Sequence, residues 1–567
     1  MIITNTPTKY HRFAFEYSWN PEALEFCRQL KTEEGFQRFS YAPEIKKWVF
    51  SNTMIVDRIT KKFSSCRMEN TVAKIYAEDQ KRKEKAGEMQ EKVDEIKASS
   101  VSGITIDGLK LPLYEYQKIG VEFLMACSGR GILADAPGVG KSAQALAYIK
   151  KREYQKVLVV CPASVKYAWE KEIEKWTDLP CVLIDGKTNL SSVDPKARIW
   201  VVNYDVLFKH REKLAKVGFD LIIGDEAQYV KSTSARRTKV FRTLSRTSPR
   251  IVLLSGTPLL SRPAELFSLL NIVDPQTWDS WTDYSNRYCN AHMSRWGWDT
   301  KGASNIEELH ARIRRYFIRR QKSEVLKELP PKIFIDVPVH LSPELADEYS
   351  KAESAFGEYL ATHQGKMPSE VAQSMAAQKL VQLNVLRQIN SRGKVSAAIE
   401  TIENTLDSGE KIVVFSTFNE PLESIKEHFG DAAVMITGKT PQHVRGDIVT
   451  DFQSNPEKKI FLGGTLSAGT GITLTAASNV LFLDYSWNPA DMIQASDRIH
   501  RPGQEASSCN IYQLYVPSSV DEDMKETLDY KQSIIDRVID GKEAENAGIS
   551  AVERALQRIK ERSIDKK

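Results

Sequence analysis

Three short stretches of this sequence hold residue types that could handle a nucleoside triphosphate. The first is GILADAPGVGKSAQ, residues 131–144. Gly138 and Gly140 would let backbone N–H groups approach phosphate, Lys141 could reach the outer phosphates, and Ser142 could hold Mg²⁺. The strict phosphate-loop pattern asks for glycine five places before Gly140, and that place holds Asp135. Alone, the stretch reads either as a phosphate loop with an altered entrance or as a glycine-rich strand-to-helix turn. The second stretch is FDLIIGDEAQYVK, where an apolar run ends in Asp225-Glu226. A carboxylate at the C-terminal end of a parallel strand lies where open α/β sheets bind ligands. There Asp225 suits Mg²⁺, and Glu226 suits the orientation and deprotonation of an attacking water. The third is QASDRIHRPGQ, residues 494–504, in which Arg498 and Arg501 share a face if the segment is helical. Guanidinium groups stabilise charge on a transferred phosphoryl group. By themselves two such arginines read more readily as a solvated helix surface, and the surrounding residues are what overturn that reading.

If the loop and the arginines serve one site, ATP sits between two lobes and hydrolysis is coupled to lobe motion. The intervening pattern supplies two lobes. Short apolar runs at Ile132–Ala134, Val157–Val160, Ile199–Val202, Leu221–Ile223 and Ile251–Leu254 alternate with helical stretches, which predicts a parallel α/β sheet. Residues 341–392 read as helical throughout. A second alternating region follows, with strands expected at Ile412–Phe415, Val434–Ile436, Lys459–Leu462, Val480–Leu483 and Ile511–Tyr515. Residues 1–65 are rich in aromatics and suggest a small α+β module, with Arg38, Lys46 and Lys47 close to Phe39, Tyr41 and Trp48. Residues 70–100 carry mixed charge and read as a solvated helix or linker. Within them Lys81-Arg82-Lys83 could serve as a nuclear signal, but Glu84, Glu88 and Glu91 favour a helix surface.

The chain has 567 residues, too many for one core, so several domains are expected. With a net charge of only +5, no polycationic tail announces a nucleic-acid partner, though basic residues could be concentrated in one cleft. Seven scattered cysteines with no CxxC pair argue against a zinc site and a disulfide framework. The first residues lack an apolar signal core, and no apolar run approaches the ~18 residues of a membrane span. A soluble protein of a reducing compartment is expected.

The order and wording of these stretches resemble a superfamily-two helicase motor of the SWI/SNF type, over about residues 111–541. LYEYQKIGVEFL resembles that family's adenine-contacting segment and points to Gln117. RGILADAPGVGKS matches the family's loop, which carries aspartate where other phosphate loops carry glycine. VLVVCPASVKYAWEKEIEKW, VVNYDVL, LLSGTPLLSRPAELFSLLNIVDP and YFIRRQKSEVLKELPPK resemble successive motifs of the first lobe. KIVVFSTF and GGTLSAGTGITLTAASNVLFLDYSWNPADMIQASDRIHRPGQ resemble those of the second. The N-terminal FAFEYSWNPEALEFCRQL and RFSYAPEIKKWVFSN are similar to a HARP-type module, which places the chain in the annealing-helicase branch. Two departures stand out: DEAQ replaces the more usual DEAH-like box, and Thr470 stands where a second glycine is common.

The resemblance implies two RecA-like parallel-sheet lobes with helical insertions and a small N-terminal α+β module. The expected domains are a HARP-like module at 1–69, a charged linker at 70–104, lobe one at 105–335, a helical insertion at 336–393, lobe two at 394–541 and a charged helix at 542–567. It implies ATP bound by Gln117, Asp135, Pro137, Gly138, Val139, Gly140, Lys141, Ser142 and Gly471, with Mg²⁺ on Ser142 and Asp225. Lys141, Asp225, Glu226, Arg498 and Arg501 would be catalytic, and Gln228, Ser255, Gly256 and Thr257 would couple nucleotide state to movement. DNA, held without regard to sequence, would meet Ser164, Lys166 and Tyr204 from lobe one and Thr465 and Trp487 from lobe two. The expected activity is that of a DNA-dependent ATPase, a translocase that remodels or anneals branched DNA in a bacterial or virus-infected cytoplasm, at the nucleoid. A strand-separating helicase on DNA or RNA stays open, as does a degenerate ATPase serving as a DNA-binding scaffold. Glu226→Gln keeps shape and removes the base, so it should bind ATP normally and hydrolyse it about 10²–10⁴-fold more slowly. Paired nucleotide-binding and turnover measurements check this, and wild-type turnover would remove Glu226 from the base role.

Overall fold

A computed structural model describes residues 1–5, 12–34, 39–50, 53–256, 258, 262–294, 297–362, 369–465, 472–541, 558–559 and 561–562. The chain divides into two compact units, Met1–Glu95 and Ile96–Lys567. Thr257, Thr470, Gly471, Arg38 and most of 542–567 fall outside the described residues.

The first unit is built on a five-stranded sheet in the order Phe39–Ala42, Lys47–Phe50, Phe13–Glu16, Ile2–Asn5, Arg67–Met68. The pairs are antiparallel except the last. Its aromatics form the core. Trp48 is 8% exposed, stacks on Phe39 with ring centroids 5.2 Å apart and meets Tyr41 edge-on at 5.5 Å. Phe13, Phe15 and Phe50 are buried beside them. Trp48 therefore does not offer a free ring to bases: it lies opposite Tyr41 across the strand pair and stacks diagonally on Phe39, which draws it inward. Among the described residues of this unit, Trp19, 83% exposed, and Tyr41, 42% exposed, are the outward aromatics. The charged stretch forms one helix, Asn70–Ala98. It is more than a linker, because Tyr76 donates to Asp57 at 2.9 Å and Asp79 accepts from Thr53 at 2.6 Å.

The second unit holds two parallel sheets. The first runs Phe317–Ile318, Arg130–Leu133, Ile251–Leu254, Leu221–Asp225, Val157–Cys161, Ile199–Asn203, Cys181–Ile184. The second runs Lys332–Pro338, Cys509–Tyr515, Asn479–Phe482, Ile412–Ser416, Ile460–Gly464, Ala433–Ile436. All their pairings are parallel. Central strands such as Val157–Cys161 and Ile412–Ser416 are buried throughout, as parallel strands covered on both faces must be. In the second sheet, Val413, Phe415, Phe461 and Phe482 face one core, while Ile412, Val414, Leu462 and Leu481 face the other.

Two boundaries differ from expectation. Lys332–Pro338 pairs with Cys509–Tyr515 along its length, so the second sheet begins before the helical insertion. The insertion, helices Pro343–Thr362 and Ser369–Gly393, places Tyr349, Phe356, Leu383, Leu386 and Ile389 in that sheet's core. At the far end Ile559 joins the same core, and Arg562 pairs with buried Glu353 at 3.0 Å and Asp523 at 2.6 Å. Among the described residues no helix is long and apolar enough to cross a membrane.

Removing the Trp48 ring should cost the first unit about 3–5 kcal/mol, whereas Trp19→Ala should change stability little. Hydrogen exchange of residues 1–95 in the full chain reads this directly. Unchanged protection in Trp48→Ala would contradict the core assignment.

Candidate nucleotide site between the lobes

The phosphate loop follows strand Arg130–Leu133 and ends at helix Lys141–Lys151. Gly138 and Gly140 take φ of 85° and 90°, a region L side chains rarely adopt. A Cβ on Gly140 would lie 2.3 Å from the Gln117 amide nitrogen, so glycine there also makes room. Lys141 donates to the carbonyls of Asp135 at 2.7 Å and Ala136 at 3.2 Å, and burial pushes its pKa down. An ammonium held by its own loop's carbonyls at a helix N-terminus has the chemistry to take an anion. Ser142 sits partly exposed in the helix's first turn.

Asp135 points its carboxylate away from this cradle, although its carbonyl accepts from Lys141 there. It is fully buried, and its carboxylate accepts from Arg320 Nε at 2.9 Å and Nη2 at 2.5 Å and from Gln144 Nε2 at 2.9 Å. Arg320 also donates to the carbonyl of Tyr116. Gly120 permits this crowding, since a Cβ there would lie 1.9 Å from Gln144 Oε1. Gln117 likewise faces the protein. Its amide nitrogen donates to Val139 O at 3.2 Å, and its oxygen accepts from Tyr114 N at 3.1 Å. It shapes the loop through these two contacts.

Asp225 closes strand Leu221–Asp225. It accepts from Trp169 Nε1 at 2.8 Å and from Glu226 N at 2.9 Å. Burial, and then the Glu226 carboxylate, push its pKa up. Such a carboxylate gains from a nearby cation, so Asp225 with Ser142 fits a divalent ion. Glu226 is held at φ 48°, a strained setting for glutamate that surrounding structure must impose. Its carboxylate accepts from Gln228 at 2.7 Å, and Gln228 Oε1 accepts from Ser255 Oγ at 2.7 Å. Ser255 N donates to Leu133 O at 3.1 Å, and a Cβ on Gly256 would meet Pro137 at 2.8 Å. Glutamine thus forms the link from Glu226 to the segment that abuts the phosphate loop.

Lobe two reaches this site. The Cγ of Arg501 lies 3.6 Å from the point a Cβ would occupy on Gly138. Arg501 donates to Thr473 Oγ1 at 2.5 Å and to Asp497 O at 3.3 Å. Arg498 is buried, donates to Ile472 O at 3.3 Å and lies within electrostatic reach of Glu226. Burial, with Arg501 beside it, pushes the Arg498 pKa down.

The residues expected on DNA are placed differently. Tyr204 is 2% exposed and donates to Asp225 O at 2.9 Å, so it supports the acidic strand instead of facing a duplex. Lys166 and Thr465 are also buried, and Trp487 is half-buried beneath Arg387, 5.2 Å from its ring. Ser164 lies in the short helix Ala163–Val165. Sequence reasoning missed Trp169, Gln144, Arg319, Arg320, Lys322 and Asp497. The run IRRQK was visible, but partners nearly two hundred residues away were not.

The SNF2-related domain family matches residues 116–395, and the helicase conserved C-terminal domain family matches 393–503. The chain belongs to the SNF2-related helicases. It is 33% identical over 457 residues to mouse "DNA annealing helicase and endonuclease ZRANB3", covering 77% of this chain and 41% of that protein. It is 30% identical over 533 residues to the Xenopus tropicalis "SWI/SNF-related matrix-associated actin-dependent regulator of chromatin subfamily A-like protein 1", covering 90% of this chain and 53% of that one. A match of that extent reaches into residues 1–95. The chain spans about half the length of the curated relatives it matches. A solved Sulfolobus solfataricus SWI2/SNF2 ATPase core in complex with dsDNA is 26% identical, covering 80% of this chain and 98% of that one, with a TM-score of 0.39.

Arg320→Ala strands the buried Asp135 carboxylate in the middle of the phosphate loop. Removing one partner of a buried pair costs about 3–5 kcal/mol, so melting should fall and nucleotide affinity with it. Wild-type melting in that variant would show that the pair does not anchor the loop.

Proposed function

We propose that this SNF2-related chain is an ATP-driven translocase on duplex DNA that remodels or anneals branched structures. The observation that carries this reading is the position of Arg501, a lobe-two side chain, directly over Gly138 of the lobe-one phosphate loop. A site divided in this way turns each hydrolytic cycle into a change in lobe contact. Loop N–H groups and Lys141 would hold the outer phosphates, and Ser142 and Asp225 would hold Mg²⁺. That ion, when bound, would supply positive charge that offsets the charge of the phosphates. Glu226 accepts the proton of the attacking water, and Arg498 and Arg501 offset the charge that develops on the transferred group. The hydrogen-bonded run Glu226–Gln228–Ser255 carries the consequence back to the loop-facing segment at Gly256.

Backbone contacts carry no base information, so the grip on DNA would be sequence-independent and weaken steeply with salt. The first unit, similar to a HARP-type module, would direct the motor to junctions, where bases are unpaired. With Trp48 in the core, Trp19 and Tyr41 take over as the rings available for stacking, worth about 1–3 kcal/mol per base. The motor would work where the DNA lies, at the nucleoid of a bacterial or virus-infected cell.

ATPase rates with duplex, single-stranded and forked DNA and with RNA, measured together, test the reading. Duplex and forked DNA should stimulate turnover and RNA should not. Stimulation by single strands or RNA without duplex would favour a strand-separating helicase instead. Deleting residues 1–95 should spare duplex-stimulated turnover and remove any preference for forks. A preference that survives the deletion would rule out the junction-reading role.

A further inference from the structure

The lobe-one segment that leaves the first sheet carries three cations, each tied in a different direction. Arg319 pairs with Asp540 at 2.9 Å, Arg320 with Asp135 at 2.5 Å, and Lys322 with Asp497 at 2.9 Å. Asp540 and Asp497 belong to the helices Val520–Asp540 and Pro489–Ser496 and their ends, on the lobe-two side, whereas Asp135 is in the phosphate loop. Lys322 stands apart from the other two by where its side chain runs. Its Cε and Nζ lie 3.4 and 3.6 Å from the point a Cβ would occupy on Gly138, the same point that Arg501 approaches. Its ammonium also donates to the carbonyl of His500, the residue before Arg501. Asp497 in turn accepts Arg501 Nε through its own carbonyl. One lysine therefore holds both ends of the turn, residues 497–500, that leads into Arg501.

We propose that Lys322 is a positioning residue for ATP hydrolysis, which presents Arg501 to the phosphate loop by gripping Asp497 and the His500 carbonyl across the lobe boundary. This rests on the ATPase reading above. The grip is stiff for physical reasons. Lys322 and Asp497 are both almost fully buried, so neither can exchange its partner for water without leaving the interface. Lys332 adds a second contact to the same carboxylate oxygen at 2.6 Å, and together the two lysines hold Asp497 below the usual carboxylate range against the opposing effect of burial. Burial pushes the Lys322 pKa down to about 7 against the opposing effect of Asp497, which favours the charged form. His500 is fixed from its other side, its Nε2 2.8 Å from Pro330 O. The turn that carries Arg501 is thus held by Lys322 from the end of lobe one, and by Pro330 and Lys332 from the segment that enters the second sheet.

A residue that works through Arg501 has a signature that a merely structural or an independent phosphate-binding residue lacks. In the full chain, Lys322→Gln should lower duplex-stimulated kcat, by roughly 10²-fold if Arg501 shifts by about an ångström. Affinity for a fluorescent ADP should stay within about twofold of wild type, and Lys322→Gln combined with Arg501→Ala should be no slower than Arg501→Ala alone. Counting active sites with the fluorescent ADP keeps unfolded molecules out of kcat. Asp497→Asn, which weakens the same ion pair from the other side, should show the same non-additivity. Losses that multiply in the double variant, or wild-type kcat in Lys322→Gln, would overturn the proposal. If wild-type protein binds the fluorescent ADP and shows no DNA-stimulated turnover, the ATPase reading itself fails, a result distinguishable from either.

Discussion

A fully buried carboxylate stands at the entrance of the phosphate loop, where most such loops have glycine. Asp135 cannot be left there without a partner, and Arg320 supplies one through two nitrogens. That single pair fixes much else. It draws the end of lobe one back against its beginning, because Arg320 follows the strand Phe317–Ile318 that flanks Arg130–Leu133. It demands glycine at 120, where Gln144 and Arg320 crowd in, and it delivers the next residues, through Lys322, to the lobe boundary. The altered loop is therefore a joint: the residue that departs from the common pattern is the one that connects the nucleotide cradle to the lobe exit.

From that joint the site is assembled by residues distant in sequence and close in space. Behind the cradle, Gln117 and Asp135 shape the loop. Beside it, Asp225 and Glu226 present two carboxylates whose mutual repulsion favours a cation or a proton between them. Across from it, Arg498 and Arg501 bring positive charge from lobe two. Burial makes each of these charges costly alone, so the arrangement is stable only as a set. The same property lets nucleotide state bias the contact between lobes, which a motor requires.

The sheets were largely legible in the sequence. Central parallel strands such as VLVVC and IVVFS are covered on both faces and read as unbroken apolar runs. Of the edge strands, Ala433–Ile436 was legible and others were not. Cys181–Ile184 and Lys332–Pro338 have one open side, and the latter exposes Ile333 and Phe334, so its pattern resembles a tail. At the site, motif position found the residues but not always their direction. Asp135 and Gln117 belong to the cradle, yet both point into the protein. Tyr204 and Lys166 carry groups suited to phosphate, yet burial turns them inward. Trp48 sits among basic residues as a stacking platform would, yet Phe39 across the strand pair claims its ring. In each case the deciding partner lay outside the local sequence.

The central claim is that lobe two completes the catalytic site. It is tested most directly by comparing Arg501→Ala with the wild type for ATP affinity and duplex-stimulated turnover under the same conditions. If the lobe-two arginine acts on the transferred phosphoryl group, affinity should persist while turnover falls by about 10³-fold, the low end for an arginine finger. Turnover equal to wild type would contradict the account, because it would mean that lobe one hydrolyses ATP without the arginine that lobe two brings to the phosphate loop.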